Sequence, residues 1–368
     1  MRVFEYGDEE ISKKEMMLGT TSMVIGIGIL TLPRLVANAT ESSDGWISIM
    51  IAGMLAIILA WIAAKLASQF PKMSFITYTG IIATKPVAVF LTCIIFCHFF
   101  LFTAYLTRGI ANISKQYLFD KTPIEVIALI FVLIVTYAVA GTRVGLLRLN
   151  MLFIPIVLII ITCLLLFSSS LVEPSNLKPL FVTSWSSILV GAKESVFSLL
   201  GFEIVLFYIS MMNRPQDAPK AVVIGMVIPV VLYIVVYFFI ISVFSVEATR
   251  QVIYPTIELA KEIVLPGEFF ERFESVFFLI WIMTIFNTSS MALDVCIWSI
   301  SSIFKKVKKM TWIWIITPFV YIVAMLPQDL IQYAKFGVLI SSLGFAIIAI
   351  VPISLLIVAK IRGVKGHT

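Results

Sequence analysis

The chain has 368 residues, of which 60% are hydrophobic and only 13% charged, with a formal net charge of +6. Its mean hydropathy is +1.06. Soluble domains carry roughly 25% charged residues, so this composition excludes a soluble globular fold and indicates an integral membrane protein. The basic residues are spread over short loops, which excludes the clustered basic face of a nucleic-acid binder.

Residues 1–15 are densely charged, with Arg2, Glu5, Asp8, Glu9, Glu10, Lys13, Lys14 and Glu15. No small-residue cleavage site follows a short apolar core, so the first apolar run is expected to be retained rather than removed as a signal peptide. About 20 apolar residues cross a bilayer as a helix. Ten candidate spans lie near 15–38, 46–68, 86–114, 123–141, 143–169, 187–212, 218–245, 271–303, 311–326 and 335–360. The fourth and fifth are separated only by "GTR", and the short ninth ends at Pro327. The pattern predicts an all-α polytopic protein with one transmembrane domain over 1–368, tails at 1–14 and 361–368, and no soluble domain.

Span one contains "MVIGIGILTLPR" at 23–34. Gly26 and Gly28 weaken a helix at mid-depth, each costing about 1 kcal/mol relative to Ala. Pro33 adds a break or marks the outer edge of the span. Freed backbone groups are tolerated in a membrane only where they line a cavity or are buried in protein. Close helix packing is the other use of such glycines.

Span three holds Cys93, Cys97, His98, Phe102 and Arg108. The four cysteines, with Cys163 and Cys296, all fall in apolar runs and behave as small apolar residues. A zinc site needs three or four ligands, and Cys97 and His98 point about 100° apart on a helix, which argues against a metal. His98 is then a pocket-lining imidazole or an interior histidine with its own partners. Arg108 either snorkels toward the interface or pairs with an acid inside the bundle.

"GTRVG" at 141–145 lacks the Lys-Ser/Thr ending of a phosphate loop. Arg148 serves as an anchor at the inner surface or as a fixed charge near span one. Span six reads "GAKESVFSLLGFEIVLFYIS", with Gly201 at its centre, Glu203 two residues on, and Lys193 and Glu194 some turns earlier. Ionisable residues within a span are expensive and mark a functional site or a pathway. Glu203 is the acid expected to be buried, with Lys193 or Arg108 as its partner. The loop 246–270 contains "TIELAKEIV", which has helical periodicity and reads as a lid over the outer mouth or as a plain connection. Span eight carries the polar run Asn287, Thr288, Ser289 and Ser290, suited to hydrogen bonding between helices.

Placing the N-terminus in the cytoplasm puts about twice as many Lys and Arg on the inner side as on the outer, with "KKVKK" after span eight as the main cluster. Both termini are then cytoplasmic. Ten spans divide into halves of five, about 15–169 and about 187–360, so spans one and six correspond. An odd number of spans per half gives the halves opposite orientations. Interrupted segments at matching places in two halves point to a transporter-type site. Unwound backbone at 26–28 offers N–H groups beside a positive half-helix end, which suits a carboxylate; carbonyl ends suit an ammonium. A zwitterionic amino acid meets both needs.

The segments "GIGILTLPR" (26–34), "DGW" (44–46), "TRGIA" (107–111), "KTP" (121–123), "SLLGFEIVLF" (198–207), "YPTI" (254–257), "ERFES" (271–275) and "PQD" (327–329) follow in order across nearly the whole chain. By them the sequence resembles the B subunits of the spore-germination (Ger) nutrient receptors, within the amino acid–polyamine–organocation superfamily. The resemblance implies a ten-helix 5+5 inverted-repeat fold with helices one and six interrupted, and a small-molecule germinant, commonly an amino acid. It implies assembly with A and C subunits in the inner membrane of the spore. It carries the ligand site to Gly26, Ile27, Gly28, Leu200 and Gly201, with His98 and Phe102 on span three and Thr288 and its neighbours on span eight. Related sodium-coupled transporters hold an ion where Thr288 or Ser290 would meet span one, but no carboxylate accompanies the run, which argues against a dedicated sodium site. No nucleophile–base pair and no cofactor motif appears, so an enzyme is not expected; the rival function is a secondary transporter of amino acids.

Overall fold

The computed structural model describes residues 10–263 and 273–364. Among them the regular elements are helical, with a single parallel bridge between Ile11 and Met212. The first helix, α1 (Lys13–Val24), starts with a reciprocal cap: the Ser12 backbone N–H donates to Glu15 Oε2 at 2.5 Å, and the Glu15 N–H donates to Ser12 Oγ at 3.3 Å. Two of the four orphan donors of a helix start are satisfied this way.

Span one continues after a break as α2 (Gly28–Thr40), bent 51° from α1. Span two is α3 (Gly45–Ser68), followed by a short helix α4 (Phe75–Ile82). Spans three to five are α5 (Lys85–Tyr117), α6 (Ile124–Ala140) and α7 (Arg143–Phe167). Span six starts as α8 (Trp185–Val196), passes through 3-10 turns at Phe197–Leu199 and Phe202–Ile204, and resumes as α9 (Val205–Tyr208). Its two parts are also bent by 51°. The rest are α10 (Ala218–Gln251), α11 (Pro255–Lys261), α12 (Phe273–Ile303), α13 (Lys309–Ala324) and α14 (Leu330–Ile361).

Among the described residues six single helices are long and apolar enough to cross a membrane, and up to eight spans result when each bent pair counts as one. The shorter apolar helices α6 and α13 occupy the fourth and ninth expected positions. At 1.5 Å per residue they are about 24–26 Å long, near the lower limit for the roughly 30 Å hydrocarbon core. Expected boundaries hold within a few residues: the seventh run was set to end at 245, where Ser245 (φ 67°) interrupts α10.

The helix α4 was not foreseen; with eight residues it is too short to show a period. Its Tyr78 hydroxyl donates to the Leu206 carbonyl at 3.1 Å, bracing the inner part of span six. The "TIELAKEIV" helix is present as α11, while Val264 and residues 271–272 of "ERFES" lie outside the described residues, as do 1–9 and 365–368 of the tails. Thr256 Oγ1 on α11 donates to the Ile29 carbonyl at 2.7 Å, and the Tyr117 hydroxyl of α5 donates to Glu258 Oε1 at 2.8 Å. These bonds tie α11 across α2, the second half of span one. The interrupted spans sit inside the bundle, held by α3, α10 and α12, with α5 packed along α12.

Candidate functional site

At the first break, α1 ends at Val24 and α2 begins at Gly28. Three carbonyls released there are met by side chains from other spans. Thr288 Oγ1 donates to the Ser22 carbonyl at 3.1 Å, the Tyr233 hydroxyl to the Val24 carbonyl at 2.7 Å, and Trp281 Nε1 to the Gly26 carbonyl at 3.5 Å. Interior backbone groups left unpaired in lipid cost several kcal/mol each. The polar residues of α10 and α12 therefore make the interruption possible. Ile27, the residue before α2, offers no side-chain cap; the Leu30 N–H turns back to the Ile27 carbonyl at 3.0 Å, and the N–H groups of Gly28 and Ile29 are left uncapped by it.

At the second break Gly201 has φ +114°, a conformation that side chains on L-residues rarely adopt. A β-carbon there would also lie 2.8 Å from the Met23 carbonyl oxygen. The Gly201 N–H donates to Glu203 Oε2 at 2.5 Å. Both requirements, positive φ and backbone contact with span one, admit only glycine. The two breaks thus meet: Gly201 against Met23, and Gly28 against Ser198, where a β-carbon on residue 28 would lie 2.6 Å from Ser198 Cβ.

A small cavity lies between them, about 10 Å³, bordered by Gly26, Ile27, Gly28, Phe102, Leu200 and Thr288 among the expected residues. Met23, Val24, Leu106, Phe197 and Ser198 complete the lining. That volume holds about one water. The Ser198 hydroxyl is buried and has no hydrogen-bond partner among the described residues. So are the hydroxyls of Ser289 and Ser290 and both polar atoms of the Asn287 amide. Sequence reasoning could have found Ser198, since it stands one turn before Gly201.

Two expected lining residues lie off the cavity. Gly201 turns its N–H to Glu203. His98 stacks on Phe102, with ring centroids 6.0 Å apart, and places Nε2 3.6 Å from Glu203 Oε1. Both His98 and Glu203 are buried. The ionisable side chain beside Glu203 is therefore His98, not Lys193 or Arg108, at a distance longer than a hydrogen bond. Lys193 is eight residues before Gly201 on α8, the first half of span six, too far along the helix axis to reach Glu203. Arg108 is buried beside Met325, with Nη1 3.9 Å from its sulfur, and makes no ion pair among the described residues. Gly344 of α14 leaves the room for the His98–Glu203 pair; a β-carbon there would meet His98 Cε1 at 2.8 Å and Glu203 Oε1 at 3.2 Å. Arg148 Nε lies 3.2 Å from Glu15 Oε1, fastening α7 to α1.

The expectation that no carboxylate accompanies the Asn287–Ser290 run needs correction. Asp294, fully buried, follows one turn later on α12. It is 3.2 Å from Arg143 Nε and 3.5 Å from Lys309 Nζ, and accepts a hydrogen bond from the Tyr208 hydroxyl at 2.9 Å. Arg143 also lies over the Trp298 ring, 4.1 Å from its centroid. Its partners, at the ends of α7, α9 and α13, hold Asp294 at the face bearing the N-terminus of α1. It does not reach the break. A lone acid in an apolar span was the available signal.

A family model described as "Spore germination protein" matches residues 10–333. The chain is 43% identical over 368 residues to spore germination protein GerLB of Bacillus cereus, covering 100% of this chain and 98% of that protein. Two solved structures share its fold at 14% identity. One is MhsT in complex with L-phenylalanine, with a TM-score of 0.68 over 96% of this chain and 99% of that one. The other is Mhp1, a nucleobase-cation-symport-1 family transporter in a closed conformation with bromovinylhydantoin bound, with a TM-score of 0.67 over 97% of this chain and 80% of that one.

Proposed function

Since this chain belongs to the spore germination protein family, we propose that it is a germinant-sensing receptor subunit whose central site takes a small molecule, an amino acid. It is a multi-pass membrane protein with a permease-like fold. The single observation that carries the ligand reading is the meeting of the two broken spans. Gly26–Gly28 and Ser198–Gly201 bring an uncapped half-helix start and an unpartnered Ser198 hydroxyl to one small cavity. A carboxylate fits the N–H end of α2. Apolar walls from Ile27, Phe102, Leu106 and Leu200 fit a side chain.

The cavity of about 10 Å³ is smaller than any amino acid. Binding therefore requires spans one and six to move apart, and the ligand selects the arrangement in which they have done so. Its effect is bounded by its differential affinity for the two arrangements. In this reading the halves 15–169 and 187–360 are inverted repeats, both termini face the cytoplasm of the spore's inner membrane, and A and C subunits relay the shift. A thermal-shift screen of the purified protein against the L-amino acids tests it. A raised melting temperature that Gly28→Val reduces is expected. Unchanged shifts in that variant would put the site elsewhere.

A carrier is the second reading, supported by the fold shared with Mhp1, described as a transporter. Gradient-driven accumulation of a labelled amino acid by proteoliposomes containing this chain alone would make the sensor reading unnecessary.

A further inference from the structure

A second cavity is far larger than the central one. A cleft of about 330 Å³ opens between α2, α8, α14 and the start of α11. Lys193 and Glu194 stand side by side on its wall, and Arg34 borders it from α2. Lys193 and Glu194 make no ion pair or hydrogen bond with any described residue. Tyr105, Tyr333 and Phe197 add an aromatic wall to the same cleft: Tyr105 stacks on Tyr333 with centroids 4.3 Å apart, and Phe197, one turn after Lys193 and Glu194, meets Tyr105 edge-on at 5.1 Å. Phe197 also lines the central cavity, so one ring separates the two spaces.

From this arrangement we infer that the outer cleft is a second binding site, which takes a free amino acid as a zwitterion before the central site opens. Lys193 receives the carboxylate, assisted by Arg34; Glu194 receives the ammonium; and the aromatic wall takes an apolar side chain. The size is right, since small-molecule sites begin near about 300 Å³. The chemistry is right as well. An unpaired cation and an unpaired carboxylate share one cleft, and charge-assisted bonds to both ends of the ligand fix its orientation. The ordinary use of such residues is a solvated surface pair, but neighbouring positions on a helix diverge by about 100°, so Lys193 and Glu194 are poorly placed to neutralise each other. The inference takes its ligand class from the amino-acid reading proposed above, and its site is independent of that reading.

The test uses the full-length protein in detergent and, as probe, the L-amino acid giving the largest rise in melting temperature, with its carboxamide and its N-acetyl derivative. Wild-type protein should bind both derivatives about tenfold or more weakly than the parent, because each lacks one charged bond. Lys193→Gln should erase the discrimination against the carboxamide, and Glu194→Gln that against the N-acetyl form. Neither variant should lower the melting temperature without ligand, since neither side chain has a partner to lose. Single variants that keep the wild-type discrimination would overturn the outer site. The central reading is judged separately: Gly28→Val, whose side chain would collide with Ser198 where the two breaks meet, should remove the central site's share of the melting shift and leave the discrimination at the outer site in place. If it abolishes all binding while Lys193→Gln and Glu194→Gln bind like the parent, the central reading stands and the outer site falls. No thermal response to any L-amino acid would overturn the ligand class at both sites.

Discussion

Gly28 and Ser198 are in backbone-to-side-chain contact across the two interrupted spans, close enough that a β-carbon on residue 28 would lie 2.9 Å from Ser198 Cα. Gly26, two residues earlier, has room for one, with Thr288 Oγ1 at 3.6 Å. The two glycines of one motif therefore do different things. Gly26→Ala should fold with stability within about 1 kcal/mol of the parent, because it meets only ordinary van der Waals contacts and its φ lies outside the left-handed region. Gly28→Val should collide with Ser198, occupy the space a central ligand would enter, and reduce the ligand-induced thermal shift. Melting curves of both variants, with and without the L-amino acids, check this; equal behaviour would mean that the Gly28–Ser198 contact does not govern the site.

Gly201 supplies a second test of how the breaks are held. Its φ of +114° costs an L-residue about 1–3 kcal/mol before any clash with Met23 is counted. Gly201→Ala should thus lower stability by at least that much, more than any single alanine substitution at Gly26. Glu203→Gln retains an acceptor for the Gly201 N–H and should be the milder change, while Glu203→Ala removes it. Chemical denaturation in mixed micelles ranks the three, and a neutral Gly201→Ala would contradict the strained turn.

Much of this architecture is legible in the sequence because its cause is local. Bilayer thickness sets the length of each apolar run, so the ends of α3, α5 and α7 fall within a few residues of expectation. The glycines at 26, 28 and 201 mark both interruptions for the same reason, since backbone freedom belongs to the residue itself. What could not be read is what depends on distant neighbours. His98 meets Glu203 across more than a hundred residues. Asp294 finds Arg143, Lys309 and Tyr208 from three other elements. The outer cleft exists only because four helices leave a gap. The near-closure of the central cavity is likewise a property of packing, not of any motif.

Asp294 is fully buried between two cations that are each about a quarter exposed. Breaking a buried pair by removing one partner costs about 3–5 kcal/mol, and partial exposure of Arg143 and Lys309 lowers this to about 1–3 kcal/mol. Asp294→Ala should be destabilising by that amount. Tyr208→Phe, which removes one hydrogen bond and leaves the ion pairs, should cost about 1 kcal/mol or somewhat more. Combining Asp294→Ala with Arg143→Gln should recover part of the loss by removing an uncompensated charge. Additivity in that double variant, measured by the same denaturation, would show that the pair is not coupled.

Asp44, in the turn before α3, accepts hydrogen bonds from the backbone N–H groups of Phe181, Val182 and Thr183 at 2.6, 2.8 and 3.1 Å, and from Thr183 Oγ1 at 3.0 Å. Burial pushes its carboxyl up, but the bonds from Phe181, Thr183 and Val182 outweigh this and hold it below the ordinary aspartate value. A depressed folded-state value means the unfolded chain takes up the proton first as pH falls. The stabilisation is therefore fully present above the ordinary carboxylate range, near pH 4, and is lost as pH drops through the lower folded value. Asp44→Asn should lower the melting temperature at pH 7 and flatten its fall in acid. A parallel acid profile for parent and variant would remove Asp44 from the account.

Phe197 offers the sharpest test of how the two cavities relate, because its ring belongs to both linings. Its neighbours are aromatic on either side, Tyr105 at 5.1 Å and Phe102 at 6.4 Å. The ring is half-buried, so Phe197→Ala should cost about 1–3 kcal/mol, less than truncation of a fully buried phenylalanine. The same change joins the cleft to the central space. If the ring is the partition that a ligand must displace, both association and dissociation of a bound L-amino acid should quicken while the equilibrium constant moves much less. Stopped-flow tryptophan fluorescence reads this through Trp281, which donates to the Gly26 carbonyl at the first break. A loss of affinity with unchanged rates of exchange would instead make Phe197 a simple wall of the outer cleft.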